Sequence, residues 1–299
     1  IGEYMACLTS PRLRWLYKDL ELRARYAYDR LDSTHRQQRE VTLGVRSRVA
    51  SVRTGIQLKG DSVLVPLGLL PIVMPGHRFP GIFQRERSHK EMDYALDRLS
   101  VAGWRPHQLE AVKALLTATL GRGLACAPPG TGKTRIGVGV IAAATHCFKA
   151  RWDGSGVGGA WLVSVFGRDL LRETREAYEG LAELVQSVGL PWPPVQYRQP
   201  HSRVPQQLVT ADGAFDVVGS LDDEVHRLQT PTRLKRHLQL PKTCGLRIGL
   251  SGTTLDRGDG LDLLTIGAYG KIAYSVTAAE LVGKGYLEQG NVRFIKAIR

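Results

Sequence analysis

The segment Ala127-Pro128-Pro129-Gly130-Thr131-Gly132-Lys133-Thr134 constrains this chain more than any other. An apolar run, Leu124 to Ala127, leads into it, and a helix-patterned run, Lys133 to Ala144, leads out. Strand, glycine turn and helix in that order make a concavity into which consecutive backbone N–H groups point, with the partial positive charge of a helix N-terminus behind them. Such a concavity suits phosphate. Pro129, Gly130, Thr131 and Gly132 would supply the backbone, Lys133 would reach β- and γ-phosphates, and the Thr134 hydroxyl would ligate Mg²⁺. A chance match in a loop would not carry a strand before it and a helix after it.

The rest of the chain follows suit. Helices are expected over Arg105 to Leu120 and, after a strand at Ala160 to Val165, on through Val188. Phe215 to Leu221 and Leu246 to Ser251 read as two more strands. This alternation predicts an α/β fold, a parallel sheet covered by helices. Residues 1–87 differ. A surface helix is expected within Pro11 to Asp32, and β-branched residues punctuated by glycines from Val41 to Val73 predict several short strands. Pro75-Gly76 and Pro80-Gly81 mark loops before a helix from about Ser88 to Leu99. We therefore expect a small α+β unit over 1–87 and a nucleotide-binding domain over 88–299.

The chain has 299 residues and a net charge of +13, spread along its length. A distributed basic excess favours a polyanionic partner such as nucleic acid, with simple solubility as the alternative. Arg46, Arg48, Arg53 and Lys59 form an acid-free stretch that fits either a phosphate-backbone contact or a charged sheet edge. The acid-free run from Val225 to Leu255, with Arg227, Arg233, Lys235, Arg236, Lys242 and Arg247, fits either the lining of a nucleic-acid path or a solvated helix. Cys7, Cys126, Cys147 and Cys244 are far apart, which supports neither a zinc site nor a disulfide framework and suits a reducing cytoplasm. No apolar run approaches the ~20 residues of a membrane span, so no membrane partner is expected. The chain starts at Ile1 and not at Met, so its numbering is not expected to begin at a start codon.

Hydrolysis needs a carboxylate on the metal side and a second group to orient water. The strand ending near Leu221 runs into Asp222-Asp223-Glu224-Val225-His226, and Asp223 falls 90 residues after Lys133. Asp223 is the candidate metal ligand, Glu224 the candidate general base and His226 a polar coupler.

With both motifs in hand, the chain resembles the first RecA-like domain of superfamily 2 helicases and translocases, which accept alanine where Ala127 stands. Asp223-Glu224-Val225-His226 resembles their DExH box, and within the superfamily the DEVH-box group, with its UvsW-type phage helicases and repair translocases, is most similar. Ser251-Gly252-Thr253 resembles the coupling motif S/T-A-T, with glycine in place of alanine. Arg105-Pro106-His107-Gln108 resembles the R-x-x-Q element, which implies that Arg105 and Gln108 favour adenine and hence ATP. Val165-Phe166-Gly167-Arg168 is similar to motif Ia, which implies backbone contact by Arg168, although Phe166 and Gly167 depart from the pattern. Thr210 fits either motif Ib or a turn.

The resemblance implies an ATP- and Mg²⁺-dependent motor acting on nucleic acid, DNA more than RNA, in recombination, repair or replication, in the cytoplasm of a bacterium or a phage-infected host. It also implies a second RecA-like domain with an arginine finger, supplied by a longer chain or by a partner. Without that arginine, hydrolysis is expected to be slower by roughly 10³-fold or more. A binding module that uses ATP as a switch without turnover stays open. A remodelling ATPase or a small-molecule kinase would lack the R-x-x-Q and Ser251-Gly252-Thr253 elements.

Overall fold

The computed structural model describes residues 5–8, 18–21, 23–24, 57–59, 62–74, 86–149, 159–200, 202, 204–228, 240, 244–252 and 262–288. Arg46, Arg48, Arg53, Thr253, Arg233, Lys235, Arg236 and Lys242 lie outside them.

Two sheets form. Strands β1 (Met5–Leu8), β2 (Gln57–Lys59) and β3 (Ser62–Pro66) make a small antiparallel sheet in the order β1-β3-β2. The larger sheet has β4 (Arg122–Cys126), β5 (Ala160–Ser164), β6 (Val195–Arg198), β8 (Gly213–Asp222), β9 (Leu246–Ser251) and β10 (Ile272–Ser275) in the order β10-β4-β9-β8-β5-β6. All its neighbours are parallel, and β7 (Gln207–Thr210) adds an antiparallel hairpin to the start of β8. The α/β class read from the alternation is the one observed.

Helices α1 (Leu70–Val73), α2 (Glu86–Val101), α3 (Pro106–Leu116), α4 (Lys133–Lys149), α5 (Arg168–Ser187), α6 (Asp262–Tyr269) and α7 (Ala278–Gly283), with 3₁₀ turns at Leu67–Leu69 and Val225–Leu228, complete the described elements. β4, β5 and β9 are buried along their whole length, as strands covered on both faces must be. The main core joins Leu99, Trp104, Leu115 and Ile141 of the helical layer to Ala125, Trp161, Val163 and Leu250 of the sheet. Among the described residues no helix is long and apolar enough to cross a membrane.

One stretch departs from the expectation of strands. After β3 the chain turns helical, first as a 3₁₀ turn at Leu67–Leu69 and then as α1. Pro71 sits in the first turn of α1, where its fixed φ favours a helix and no amide is missed. Leu69, Leu70 and Val73, at helical spacing, bury against Leu263 and Ile266 of α6. A Cβ on Gly68 would stand 2.0 Å from the Ile266 carbonyl oxygen, so the turn lies directly on that helix. Within the expected N-terminal helix, Leu20 and Ala24 join the same cluster.

Candidate nucleotide site

The strand registers bring one set of strand ends into a row. Cys126 of β4 pairs with Ser251 of β9, and Asp222 of β8 pairs with both Gly249 of β9 and Ser164 of β5. The phosphate loop, the acidic segment and Ser251-Gly252 therefore leave the sheet on one edge, where ligands of open α/β sheets bind. Ala127 N–H donates to Ser251 O at 2.9 Å, and Asp223 N–H to Ser164 O at 3.0 Å, extending the ladder past both strand ends.

The loop needs its glycines. Gly130 and Gly132 both have φ of 82°, which disfavours any other residue. At Gly132 a Cβ would also stand 2.4 Å from Gln108 Nε2. That close approach lets Gln108 Nε2 donate to Thr131 O at 3.1 Å, while Gln108 Oε1 accepts Arg105 N–H at 3.0 Å. His107 Nε2 lies 3.1 Å from the same carbonyl. Gln108 thus ties the start of α3 to the phosphate loop, leaving one donor and one acceptor position of its amide for a base. The Thr131 hydroxyl closes the turn by donating to Pro128 O at 2.8 Å.

Lys133 Nζ folds over the loop, donating to Ala127 O at 3.3 Å and standing 3.8 Å from Glu224 Oε1. Glu224 is a non-glycine residue at φ 51°, a conformation that costs about 1–3 kcal/mol and persists where the surroundings impose it. His226 is the second neighbour of its carboxylate. Its Nδ1 is 3.1 Å from Glu224 Oε2 and 3.0 Å from Ser251 Oγ. A carboxylate only accepts, so Nδ1 carries the proton and shares it between the two oxygens. Lysine, glutamate, histidine and serine, spread over 118 positions of sequence, thus form one contact chain. Gly252 lies beside it, and an alanine Cβ there would meet Lys133 Nζ at 3.4 Å, an ordinary contact. The glycine departure leaves this geometry intact.

Burial and then the Glu224 carboxylate raise the pKa of Asp223 above the usual carboxylate value, against the opposing pull of Lys133. Its Oδ1 accepts the N–H of Glu224 at 2.9 Å. Among the described residues no group of three or more His, Cys, Asp or Glu side chains forms a metal site on its own. A divalent cation would be shared with phosphate oxygens, the usual mode for Mg²⁺, and the hydroxyl of Thr134 with the carboxylate of Asp223 suits that donor set.

Two features escaped sequence reading. Tyr286, beyond α7, accepts a hydrogen bond at its carbonyl from Arg105 NH1 at 3.1 Å, and its ring lies 4.9 Å from that of His107. Beneath the acidic segment, Asp222 is buried and accepts the Ser220 hydroxyl at 2.9 Å. Its charge acts on buried Arg198 and Tyr269, the phenol standing well above its ordinary pKa first through burial and then through Asp222. Arg247 is part of this cluster. It is 1% exposed in a strand paired on both sides, so it does not line a nucleic-acid path.

Of the proposed nucleic-acid contacts, Arg168 is exposed at the first position of α5, on the same sheet edge as the phosphate loop, after Gly167 at φ 93°. Thr210 pairs with Gly213 across a hairpin turn and its Oγ1 accepts Asp212 N–H at 3.2 Å. It sits at the start of β8, roughly 30 Å of extended chain from Asp222.

No family profile and no curated protein matches the chain in sequence. Among solved structures, the UvsW helicase from bacteriophage T4 superposes at a TM-score of 0.50 with 17% identity, over 71% of this chain and 79% of that one. A second T4 UvsW structure gives 0.49 with 18% identity, and this chain spans 45% of its length. The Pyrococcus furiosus Hef helicase domain gives 0.41 with 16% identity, over 65% of this chain and 42% of that one. The fold of this chain is the RecA-like α/β fold seen in the T4 UvsW structure.

Proposed function

We propose that this chain is the ATP-binding half of a nucleic-acid helicase or translocase, acting on DNA. The observation that carries the proposal is the contact chain Lys133–Glu224–His226–Ser251, which links a phosphate-binding lysine to a base and the base to a neighbouring strand. Lys133 holds the β- and γ-phosphates, and Thr134 and Asp223 hold Mg²⁺, which neutralises charge developing on the transferred phosphoryl group. Glu224 orients the attacking water and accepts its proton. His226 and Ser251 report the state of the base to β9. Arg105 and Gln108 favour adenine, with the open positions of the Gln108 amide as the reading groups.

The net charge of +13 supports a polyanionic partner. Arg168 is the contact residue best supported by exposure and by its place on the nucleotide edge. Thr210, Arg46, Arg48 and Arg53 are proposed with it, the last three in the unit spanning 1–87. Residues 88–299 form the nucleotide domain, and a second RecA-like unit supplies the arginine that speeds hydrolysis.

The test is ATP hydrolysis with and without DNA or RNA, with a second RecA-like unit provided. Hydrolysis should rise with nucleic acid and fall at least ~100-fold in Lys133→Ala and Glu224→Gln. Nucleic-acid binding that responds to ATP with no turnover under any of these conditions would replace the motor by an ATP switch.

A further inference from the structure

Tyr286 reaches the nucleotide edge by a turn. Gly285, at φ 71°, follows α7 where a left-handed residue commonly ends a helix, and the chain folds back so that Tyr286 N–H donates to Leu281 O at 2.8 Å. Tyr286 and Leu287 then pack on a small apolar cluster of Ala127, Val276 and Leu281. Leu287 meets the phosphate loop: a Cβ on Gly130 would stand 3.1 Å from its Cδ2. Tyr286 meets the start of α3, with its ring centre 4.9 Å from that of His107. Arg105 lies over the same ring at 5.5 Å, and its Nη1 donates to the Tyr286 carbonyl at 3.1 Å.

Packing accounts for Leu287 but not for an aromatic residue before it. A leucine would serve the apolar cluster as well; what a ring adds is a face for a cation. Arg105 is exposed, and an untethered arginine there would sample many rotamers. Tyr286 takes one face and one of the five donors of its guanidinium. The opposite face is open to a ligand, and a guanidinium face stacks on planar rings, which suits a nucleobase. Beside it is Gln108, whose Oε1 accepts the Arg105 N–H at 3.0 Å. Side-chain freedom lost before a ligand arrives does not oppose its binding.

We infer that Tyr286 is a positioning residue for the nucleotide base: its ring and carbonyl together hold the Arg105 guanidinium beside Gln108, so that the outer face of the guanidinium stacks on the base. This rests on the nucleotide reading above, and it makes the chain beyond α7 part of the base side of the site.

The test is calorimetric titration of the full chain with a non-hydrolysable ATP analogue and, separately, with inorganic tripolyphosphate, which has no base. Tyr286→Ala should weaken binding of the analogue about 5-fold, the effect of having to order one long side chain on binding, and leave tripolyphosphate unchanged. Tyr286→Phe should match the unsubstituted chain, because the ring and the main chain make the contacts. In an Arg105→Ala background, Tyr286→Ala should weaken the analogue no further. Equal affinity of Tyr286→Ala and the unsubstituted chain for the analogue overturns the assignment. So does a parallel loss of tripolyphosphate, which marks a distorted phosphate loop, or a loss that adds to that of Arg105→Ala. If the unsubstituted chain binds tripolyphosphate and the analogue equally, the assignment fails while the phosphate site stands. If it binds neither, the nucleotide reading fails and this assignment falls with it.

Discussion

At Asp223 the fold holds a carboxylate where burial and the adjacent Glu224 both favour the protonated form. A folded-state pKa above the unfolded value means that the group stabilises the fold at low pH, and that this contribution is lost as pH rises through the folded value. At neutral pH the metal-free chain therefore carries a charge it would hold more easily unfolded. Asp223→Asn should raise the melting temperature of the metal-free protein at pH 7 and abolish nucleotide-dependent metal binding. The gain should shrink as pH approaches the ordinary carboxylate range near ~4. Calorimetry at the two pH values, without metal, checks both signs. Gly132 sits at the opposite extreme, where stability and site demand the same residue. Gly132→Ala faces φ 82° and the Gln108 amide together. It should destabilise by about 1–3 kcal/mol and also weaken nucleotide binding, because the tie between Gln108 and Thr131 is displaced. Denaturant unfolding and nucleotide titration measure the two effects separately.

Among the elements, the parallel core was legible because its strands are continuous apolar runs and its first turn is a phosphate loop. Strands β6, β7 and β10 were not. Val195–Arg198 and Ile272–Ser275 are four-residue strands at the two edges of the sheet, half-exposed and without an apolar run to mark them. Gln207–Thr210 alternates exposed and half-buried positions and gains its state from pairing with β8. At Leu70–Val73 the β-branched Ile72 and Val73 suggested strand, but tertiary burial against α6 prevailed over propensity. In the site, the loop, the acidic pair and Ser251 could be read because each belongs to a local pattern. Arg247 was misread because its charge is balanced by partners on other strands, which no local pattern displays. The same α6 contact yields a prediction. Gly68→Ala pushes a methyl into the carbonyls of Ile266 and Gly267, so overpacking should cost about 1–3 kcal/mol, read as a lower denaturant midpoint. Triphosphate affinity of the still-folded fraction should be unaffected, since α6 carries none of the proposed ligands.

For the molecule as a whole, the formal charge overstates the field that reaches solvent. Arg122, Arg198 and Arg247 are buried, the latter two beside Asp222. The surface excess still favours a polyanion, and its affinity should fall about tenfold for every two phosphates contacted when salt rises from about 50 to 200 mM. Fluorescence anisotropy with labelled DNA measures that slope, and a flat response would remove nucleic acid from the proposal. Glu224 also bears on how the whole molecule behaves before it meets a ligand. Lys133 Nζ stands 3.8 Å from one of its oxygens and His226 Nδ1 3.1 Å from the other, so each oxygen already faces a donor. A triphosphate that draws Lys133 away would free that oxygen to accept a hydrogen bond from water. The arriving substrate would thus clear the place of its own nucleophile, which would make the reaction self-timed.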